Sequence, residues 1–294
     1  MRKVFPTVGI IGAGPLARMC ISPAADLGIE LLLFENDRKD LETVRAFAMK
    51  CDVVTFAEDQ VPLSVIKTLE AEGIAFRPSS AVIEYSYNKA TRDQSIDFDY
   101  EFTVLVARSP HGQVATWAPT QVIQNNSNYM MTIAPAPQIS PELSEQAQKL
   151  ALDLAAEVGA VGVMAVEMFV QDQKLSVGSL VMCPHVSGNW TIEGARTNQF
   201  EQHLRAVLDL PLGDPSTTAS TAVTGNVVAG NKSDMYRPYL HLMARSPALK
   251  FHHYKGDVRP GQVVGHVTLL GKDNAELISE VQHALDYMSG EIDE

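Results

Sequence analysis

The sequence VGIIGAGPLA, residues 8–17, sets an apolar run directly before a glycine-rich turn. The run predicts a buried strand over residues 8–11, and the residues after it predict a helix over residues 16–27. Two more apolar runs, residues 31–34 and 53–56, also alternate with helical stretches. Continuous apolar strands separated by helices are typical of a parallel sheet buried on both faces, so the first eighty residues predict one.

The turn Gly12-Ala13-Gly14-Pro15-Leu16-Ala17 matches the pattern G-x-G-x-x-A. Glycine permits a tight turn, and free backbone N–H groups at the start of the helix can meet a phosphate. Glu35 ends the second strand, where a dinucleotide-binding fold places its ribose-binding acid. Three interpretations stay open: a structural turn, a site for a phosphorylated ligand, and a nicotinamide dinucleotide site. The antiparallel pattern that follows argues against the dinucleotide.

From Phe102 onward the pattern predicts short antiparallel strands and three helices. The first helix is expected to bury one face and to stop at Gly159, a common residue after a helix end. The second helix contains Phe200 and Leu204, and the last covers residues 275–288. The face of the first helix comprises Leu143, Ala147, Leu150, Leu154 and Val158, and the strands are residues 102–107, 114–117, 120–124, 130–133, 161–170, 175–182, 221–228, 250–254 and 263–270.

The composition excludes several classes of function. The chain has 294 residues and a formal net charge of −12, without a run of Lys and Arg, so we expect no nucleic-acid partner. The cysteines Cys20, Cys51 and Cys183 are scattered and odd in number, which indicates reduced thiols and a cytoplasmic protein. No stretch of the sequence is long and apolar enough to predict a membrane span or a membrane partner.

The stretch SGNWTIEGARTNQFEQHLRAVLDLPLG, residues 187–213, closely resembles a segment of the PurK family, the carboxyaminoimidazole ribonucleotide synthetases of the ATP-grasp superfamily. Supporting matches run in family order along the chain: LARM at 16–19, CDVVTF at 51–56, RPS at 77–79, VARSPHG at 106–112, IAPA at 133–136 and VRPG…GHVTLLG at 258–271. Members of this family use ATP to attach bicarbonate, through a carboxyphosphate, to the amine of aminoimidazole ribonucleotide.

The resemblance implies a reduced ATP-grasp architecture of class α/β, α+β overall, in three parts. Residues 1–80 would form a parallel-sheet, Rossmann-like pre-ATP-grasp domain. Residues 81–216 would form an antiparallel-sheet remnant of the ATP-grasp domain, and residues 217–294 a small C-terminal domain of PurK type. The family inserts a small lid subdomain between the positions of Ser80 and Asp97, where this chain has only sixteen residues. We therefore expect that the lid is missing.

Departures from the family also affect the expected cofactors. Glu167 matches one magnesium-binding carboxylate of the family, but Gly178 and Ser179 stand where an Asn and a second carboxylate are expected. Cys183 replaces an Arg. Because magnesium requires several oxygen ligands and is shared with ATP phosphates, we expect Glu167 to be a remnant, no metal site, and neither ATP nor magnesium as a cofactor.

The candidate site residues follow from the same comparison with the family. Glu167 and His185 are the strongest catalytic candidates. The candidate ligand-binding residues are Gly12, Gly14, Leu16, Asp59, Glu101, Ser187, Trp190, Lys255, Arg259 and His266. For His185, Ser187 and Trp190 a pocket wall and a structural turn are equally compatible with the sequence. His252 and His253 are adjacent, so on a strand they would point to opposite faces and make poor co-ligands.

Three hypotheses of function remain open. The first is a PurK-fold protein that has lost ATP-dependent carboxylation and keeps a pocket for a small phosphorylated or carboxylated ligand, between the glycine loop and the turn at Arg259. The second is an ATP-independent enzyme that acts on an imidazole ribonucleotide or a related carbamate. The third is a non-catalytic partner subunit of a full-length synthetase. PurK relatives are commonly dimers, so a homodimer is also expected.

Overall fold

The computed structural model describes residues 6–57, 61–89, 99–124, 130–172, 174–230, 234–256 and 258–292. The first unit is a three-stranded parallel sheet in the order β2-β1-β3, and the three predicted strands are confirmed. Its elements are β1 Val8–Ile11, α1 Pro15–Met19, α2 Ile21–Leu27, β2 Leu31–Phe34, α3 Leu41–Ala48, β3 Val53–Phe56 and α4 Leu63–Ala71.

The helix predicted over residues 16–27 is in fact two helices. They meet at Cys20, which ends α1 and precedes α2. Pro23 explains the interruption, because proline has no N–H for the carbonyl of Met19 and its ring crowds that carbonyl. In the first turn of a new helix the same proline is tolerated.

The second unit is a large antiparallel sheet in the order β11-β12-β10-β7-β6-β4-β8-β9, with β5 paired to β4. Its strands are β4 Tyr100–Arg108, β5 Val114–Thr116, β6 Thr120–Gln124, β7 Met130–Ala134, β8 Gly162–Gln171, β9 Lys174–Val181, β10 Thr221–Val228, β11 Lys250–His253 and β12 Val263–Gly271. Strand β10 pairs with β7, with Val223 opposite Ile133. The strands on both sides of the predicted boundary at residue 216 thus belong to one sheet.

The remaining helices cover this sheet. They are α5 Ser80–Lys89, α6 Pro141–Val158, α7 Thr191–Gly194, α8 Gln199–Val207, α9 Tyr236–Arg245 and α10 Asn274–Ser289. The Asp273 side chain accepts the N–H groups of Ala275 and Glu276, which confirms the predicted start of α10. None of the helices in the described ranges is long and apolar enough to cross a bilayer.

Helix α6 packs on the sheet through small side chains. Ser140 caps its start, and Gly159 ends it with φ of 69°, as predicted. The fully buried stripe is Ala147, Ala151 and Ala155, whereas the predicted leucines and Val158 flank this stripe and are half-buried. Alanine lets the helix axis approach the sheet closely, so the larger side chains fill the two edges of the contact instead of its centre.

Helix α8 lies between the two sheets and joins them through His203. This side chain is fully buried. Its Nδ1 accepts the backbone N–H of Val163 on β8 at 3.0 Å. The proton of the neutral ring is therefore on Nε2, which donates to Thr55 Oγ1 on β3 at 2.8 Å. Gly162 leaves room for the ring, since a Cβ there would lie 2.8 Å from Cε1 of His203.

We predict that removing either His203 or its partner Thr55 destabilises the folded protein. Thr55→Val should lower the free energy of unfolding by about 1–3 kcal/mol, because the buried Nε2–H loses its acceptor. His203→Ala should cost about 3 kcal/mol or more, because a cavity is added. Urea unfolding measures both effects. Glu157→Ala, at an exposed position on α6, serves as the control, within about 0.5 kcal/mol of wild type, and a Thr55→Val variant as stable as this control would contradict the two hydrogen bonds of His203.

Candidate functional site

A cavity of about 370 Å³ lies between the glycine loop and β11, and we call it the glycine-loop cavity. Its lining comprises Ala13, Gly14, Pro15, Arg18, Met19, Phe251, His252, His253, Tyr254 and Lys255. Gly12 stands at the base of the loop with φ of 128°, a conformation open to glycine and strained for other residues. Of the predicted ligand-binding residues, the structure brings Gly14 and Lys255 to this cavity.

Arg18 crosses the floor of the glycine loop. Its Nε donates to the carbonyl of Ala13 at 2.8 Å, and one terminal nitrogen donates to Glu35 Oε1 at 2.6 Å. Glu35, the residue predicted at a ribose-binding position, is thus engaged by this arginine. The pair is partly exposed, so the arginine keeps access to a bound anion from the cavity side.

Behind β11 a polar cluster supports the cavity wall. His252 Nε2 donates to Glu193 Oε1 at 2.7 Å, and the rings of His252 and His266 stack with centroids 4.5 Å apart. Tyr254 Oη lies 2.9 Å from His266 Nδ1. Burial, together with the neighbouring His252, lowers the pKa of His266 to about 3. His266 is fully buried and does not line the cavity, so its role is to hold Tyr254 and His252.

His252 and His253 contact different groups, as the alternation of a strand predicts. His253 Nδ1 lies 2.9 Å from the hydroxyl of Tyr239, whereas His252 is bonded to Glu193.

A second cavity, of about 380 Å³, lies between the parallel-sheet unit and the end of β9, and we call it the apolar cavity. It is lined by Leu16, Phe56, Ala57, Val61, Ile66, Ile83, Ser86, Tyr87, Ser179, Leu180, Val181, Met182, Cys183, Pro184 and His185. Among the described residues, this lining contains no Lys, Arg, Asp or Glu. Leu16, predicted as a ligand-binding residue, faces this cavity and not the glycine-loop cavity.

Glu167 lies just outside the lining of the apolar cavity, opposite the lining residue Ser179 on the neighbouring strand. Ser179 Oγ donates to Glu167 Oε2. The other carboxylate oxygen, Oε1, lies 3.8 Å from His185 Nε2. That distance is too long for a hydrogen bond, so each of the two atoms retains capacity for another partner.

The ring of His185 is oriented by its own turn. Its Nδ1 accepts the backbone N–H of Ser187, and the Ser187 hydroxyl lies 2.8 Å from the same nitrogen. The neutral ring therefore carries its proton on Nε2. Gln199 holds the backbone of His185 from both sides, at 2.9 Å to its N–H and 2.8 Å to its carbonyl. Burial lowers the pKa of His185, although the Glu167 carboxylate opposes the shift.

Two family models match the chain. Residues 79–200 match the ATP-grasp domain, and residues 222–280 match the phosphoribosylaminoimidazole carboxylase C-terminal domain. The N5-carboxyaminoimidazole ribonucleotide synthase of Mycobacterium tuberculosis (strain H37Rv) is 32% identical over 379 residues, covering 97% of this chain and 88% of that relative. The chain belongs to the PurK family of N5-carboxyaminoimidazole ribonucleotide synthases.

Solved structures of PurK proteins share the fold. Carboxyaminoimidazole ribonucleotide synthase from Aspergillus clavatus, complexed with ATP, superposes with a TM-score of 0.87 at 22% identity, covering 97% of this chain and 99% of that one. The same enzyme in complex with ADP and 5-aminoimidazole ribonucleotide gives 0.86 at 23% identity, with the same coverage. The predicted α/β architecture of PurK type is confirmed.

The alignment with the mycobacterial relative shows that this PurK chain is short. It spans 379 positions against the 294 residues present here, so the relative carries segments that this chain lacks. One predicted deletion falls where α5 ends at Lys89 and β4 begins at Tyr100. The sequence has ten residues between these two elements, whereas a small domain needs some tens of residues to build a core.

The magnesium position of the family is a poor match for the ion in this chain. Glu167 offers a carboxylate, but the hydroxyl of Ser179 already donates to it where a second carboxylate would be needed. Magnesium prefers octahedral oxygen ligation at short distances, and a donating hydroxyl competes with that. Within the described residues there is no group of three or more His, Cys, Asp or Glu that could hold a metal ion.

Ser187, His185 and Glu167 follow one another in the order of a hydrolase triad, but the geometry does not fit that chemistry. Ser187 is fully buried and does not line the apolar cavity, so no substrate carbonyl can reach its hydroxyl. The hydroxyl instead fixes the imidazole. Trp190 is also fully buried. Its Nε1 donates to Thr120 Oγ1 at 2.8 Å, and its ring packs in a hydrophobic cluster on the antiparallel sheet.

The remaining predicted residues lie elsewhere. Glu101, on β4, and Arg259, which is exposed beyond β11, line neither cavity. The expected pocket at the glycine loop is thus bounded by Lys255 and not by Arg259. Asp59 lies outside the described residues. The prediction missed Arg18 as a cavity residue, although it is part of the LARM match, and it missed Tyr87, which no motif contains.

The buried histidines predict a marked loss of stability in acid. The pKa of both His203 and His266 is about 3 in the folded chain, against an ordinary value of 6.5. Between these values the unfolded chain binds more protons, so their contribution is complete above pH 6.5 and is lost as pH falls. Each histidine should remove about 2 kcal/mol of unfolding free energy between pH 7 and pH 5.

Urea unfolding between pH 7 and pH 5 measures how the free energy of unfolding changes with pH. A His203→Gln variant should show roughly half of the pH-dependent loss that these two residues cause. An unchanged slope would show that His203 titrates normally in the folded protein.

Proposed function

We propose that this chain is a PurK-family protein that binds a small phosphorylated ligand in the glycine-loop cavity and does not carry out ATP-dependent carboxylation. The observation that carries the proposal is the hydrogen bond of Ser179 to Glu167 at the position of the family's magnesium ligands. A hydroxyl in this place leaves one carboxylate for a cation that needs several anionic or carbonyl oxygens.

The charges of the described residues in the apolar cavity support the proposal that this chain does not use ATP. The mycobacterial relative is named as a synthase, and an A. clavatus relative has been crystallised with ATP. In this chain Cys183 occupies the place of an expected Arg, and the lining between Ser179 and His185 has no cation. Among the described lining residues a triphosphate would meet no compensating charge, and burying an unpaired anion is strongly unfavourable.

The glycine-loop cavity supports the binding of a phosphorylated ligand. Gly12 and Gly14 let the backbone approach a phosphate closely, as in phosphate-binding turns. Arg18 and Lys255 line the same cavity, together with His252. A single phosphate group needs only such a small set of donors, whatever the net charge of the chain. One A. clavatus structure contains 5-aminoimidazole ribonucleotide, which carries one phosphate.

We expect no substrate-stimulated release of phosphate from ATP. Purified protein would be assayed with MgATP, bicarbonate and 5-aminoimidazole ribonucleotide, with the M. tuberculosis relative as the positive control. The rate should stay at background, because neither the metal ligands nor the cations for the triphosphate are in place. Turnover that rises when the ribonucleotide is added would end the proposal.

Lys255→Gln should weaken the binding of ribose 5-phosphate by roughly tenfold, since one charge-assisted hydrogen bond is worth about 1.5–3 kcal/mol. Isothermal calorimetry measures the affinity. Lys174→Gln, at an exposed position on β9, is the matched control and should bind as wild type does. Equal affinity of the two variants would place the phosphate outside the glycine-loop cavity.

One observation favours a second candidate, an ATP-independent enzyme acting on an imidazole ribonucleotide. His185 is neutral and presents Nε2–H beside the Glu167 carboxylate, a pair that can donate and accept at one substrate. A thermal-shift screen of imidazole ribonucleotides tests this, since ligand at a hundred times its Kd adds about 2.7 kcal/mol. If no imidazole ribonucleotide raises the melting temperature, this second candidate is contradicted.

A homodimer, a cytoplasmic location and a role as partner subunit stay predictions. Size-exclusion chromatography and co-purification test the homodimer and the partner subunit.

A further inference from the structure

The apolar cavity has a chemistry that the binding of a phosphorylated ligand does not use. Its walls come from three places: the parallel-sheet unit supplies Leu16, Phe56 and Ile66, α5 supplies Ile83 and Tyr87, and β9 leads into Met182. A volume of about 380 Å³ falls in the range of small-molecule sites. Because the described lining is uncharged, an occupant with a charged body would lose its hydration without compensation.

The lining at the polar end of the cavity supplies one donor, and one acceptor adjoins that donor from just outside the lining. The donor is His185 Nε2–H, since Nδ1 already accepts the N–H of Ser187. The acceptor is Glu167 Oε1, 3.8 Å away, and neither atom is bonded to the other. About a fifth of the His185 side chain and a quarter of the Glu167 side chain remain accessible, at 20% and 27%.

A donor and an acceptor at this spacing complement a group that carries the reverse pair on neighbouring atoms. A cyclic amide does so: its N–H can donate to Glu167 Oε1 while its carbonyl accepts from His185 Nε2. The rest of such a ring is flat and apolar. Phe56 and Tyr87 in the lining are the side chains that pack best on a flat ring, by stacked or edge contacts.

We propose that the apolar cavity binds an uncharged planar heterocycle whose edge presents an adjacent N–H donor and carbonyl acceptor. The proposal concerns a cavity distinct from the glycine-loop cavity and does not rest on the function proposed above.

2-Quinolone is the probe, because it is neutral and planar and carries the lactam edge. Quinoline has the same ring without the N–H and carbonyl, and quinoline-2-carboxylate adds a negative charge. Calorimetry and saturation-transfer NMR should show binding of 2-quinolone, at least tenfold weaker binding of quinoline, and no measurable binding of the carboxylate. Failure of 2-quinolone to bind at millimolar concentration, or equal binding of the three compounds, would overturn the proposal.

Two variants with matched controls locate the probe. Glu167→Ala should weaken binding of 2-quinolone by roughly tenfold or more, whereas Glu145→Ala on the exposed side of α6 should not. Tyr87→Ala should weaken it by roughly fivefold through the lost ring contact, whereas Tyr236→Ala, at an exposed position on α9, should not. Both target positions are partly open to solvent, so both variants should fold. Unchanged affinity in both would place the probe elsewhere.

Saturating ribose 5-phosphate separates this inference from the proposed function. The affinity for 2-quinolone should be the same with and without it, because the two ligands occupy different cavities. Competition between them would contradict the assignment of two sites. ATP turnover would refute the proposed function while leaving the binding of 2-quinolone to be judged on its own.

Discussion

The imidazole of His203 links the two sheets of this protein and fixes their relative position. One ring nitrogen accepts from Val163 on the antiparallel sheet, and the other donates to Thr55 on the parallel sheet. The ring is buried and neutral, so both bonds lie in a medium of low dielectric constant where a lost partner is expensive. Each cavity takes its walls from both units. The site therefore exists only while this junction fixes their relative position.

Within that frame, the chemistry of the site is decided by which charges remain. The glycine loop, Arg18 and Lys255 keep a cavity suited to one phosphate. At the other end, Ser179 donates to Glu167 and burial lowers the pKa of His185, and under the proposed function this position does not hold a metal–triphosphate complex. The fold of a PurK protein is preserved, and we propose that its nucleotide chemistry is not, as expected when function depends on sites and not on folds.

The sequence alone predicted most strands, because a short apolar run between helical stretches is typical of a buried strand. It predicted a buried face of α6 made mainly of leucines, but the fully buried residues of this helix are alanines, because the helix packs close to the sheet. It did not predict α9, whose Tyr236 and Leu240 are exposed and blur the helical period. The cavities were harder still. Lys255 was among the candidate ligand-binding residues, whereas Tyr87 belongs to no motif and reaches its cavity only because α5 packs beside β9.

The central claim is that Glu167 and Ser179 cannot share a magnesium ion with a triphosphate. A crystal structure of the protein soaked with magnesium and a non-hydrolysable ATP analogue tests it most directly. We predict that Ser179 Oγ stays hydrogen-bonded to Glu167 and that no metal density appears between β8 and β9. A triphosphate bound there, with magnesium coordinated by Glu167, would contradict this account.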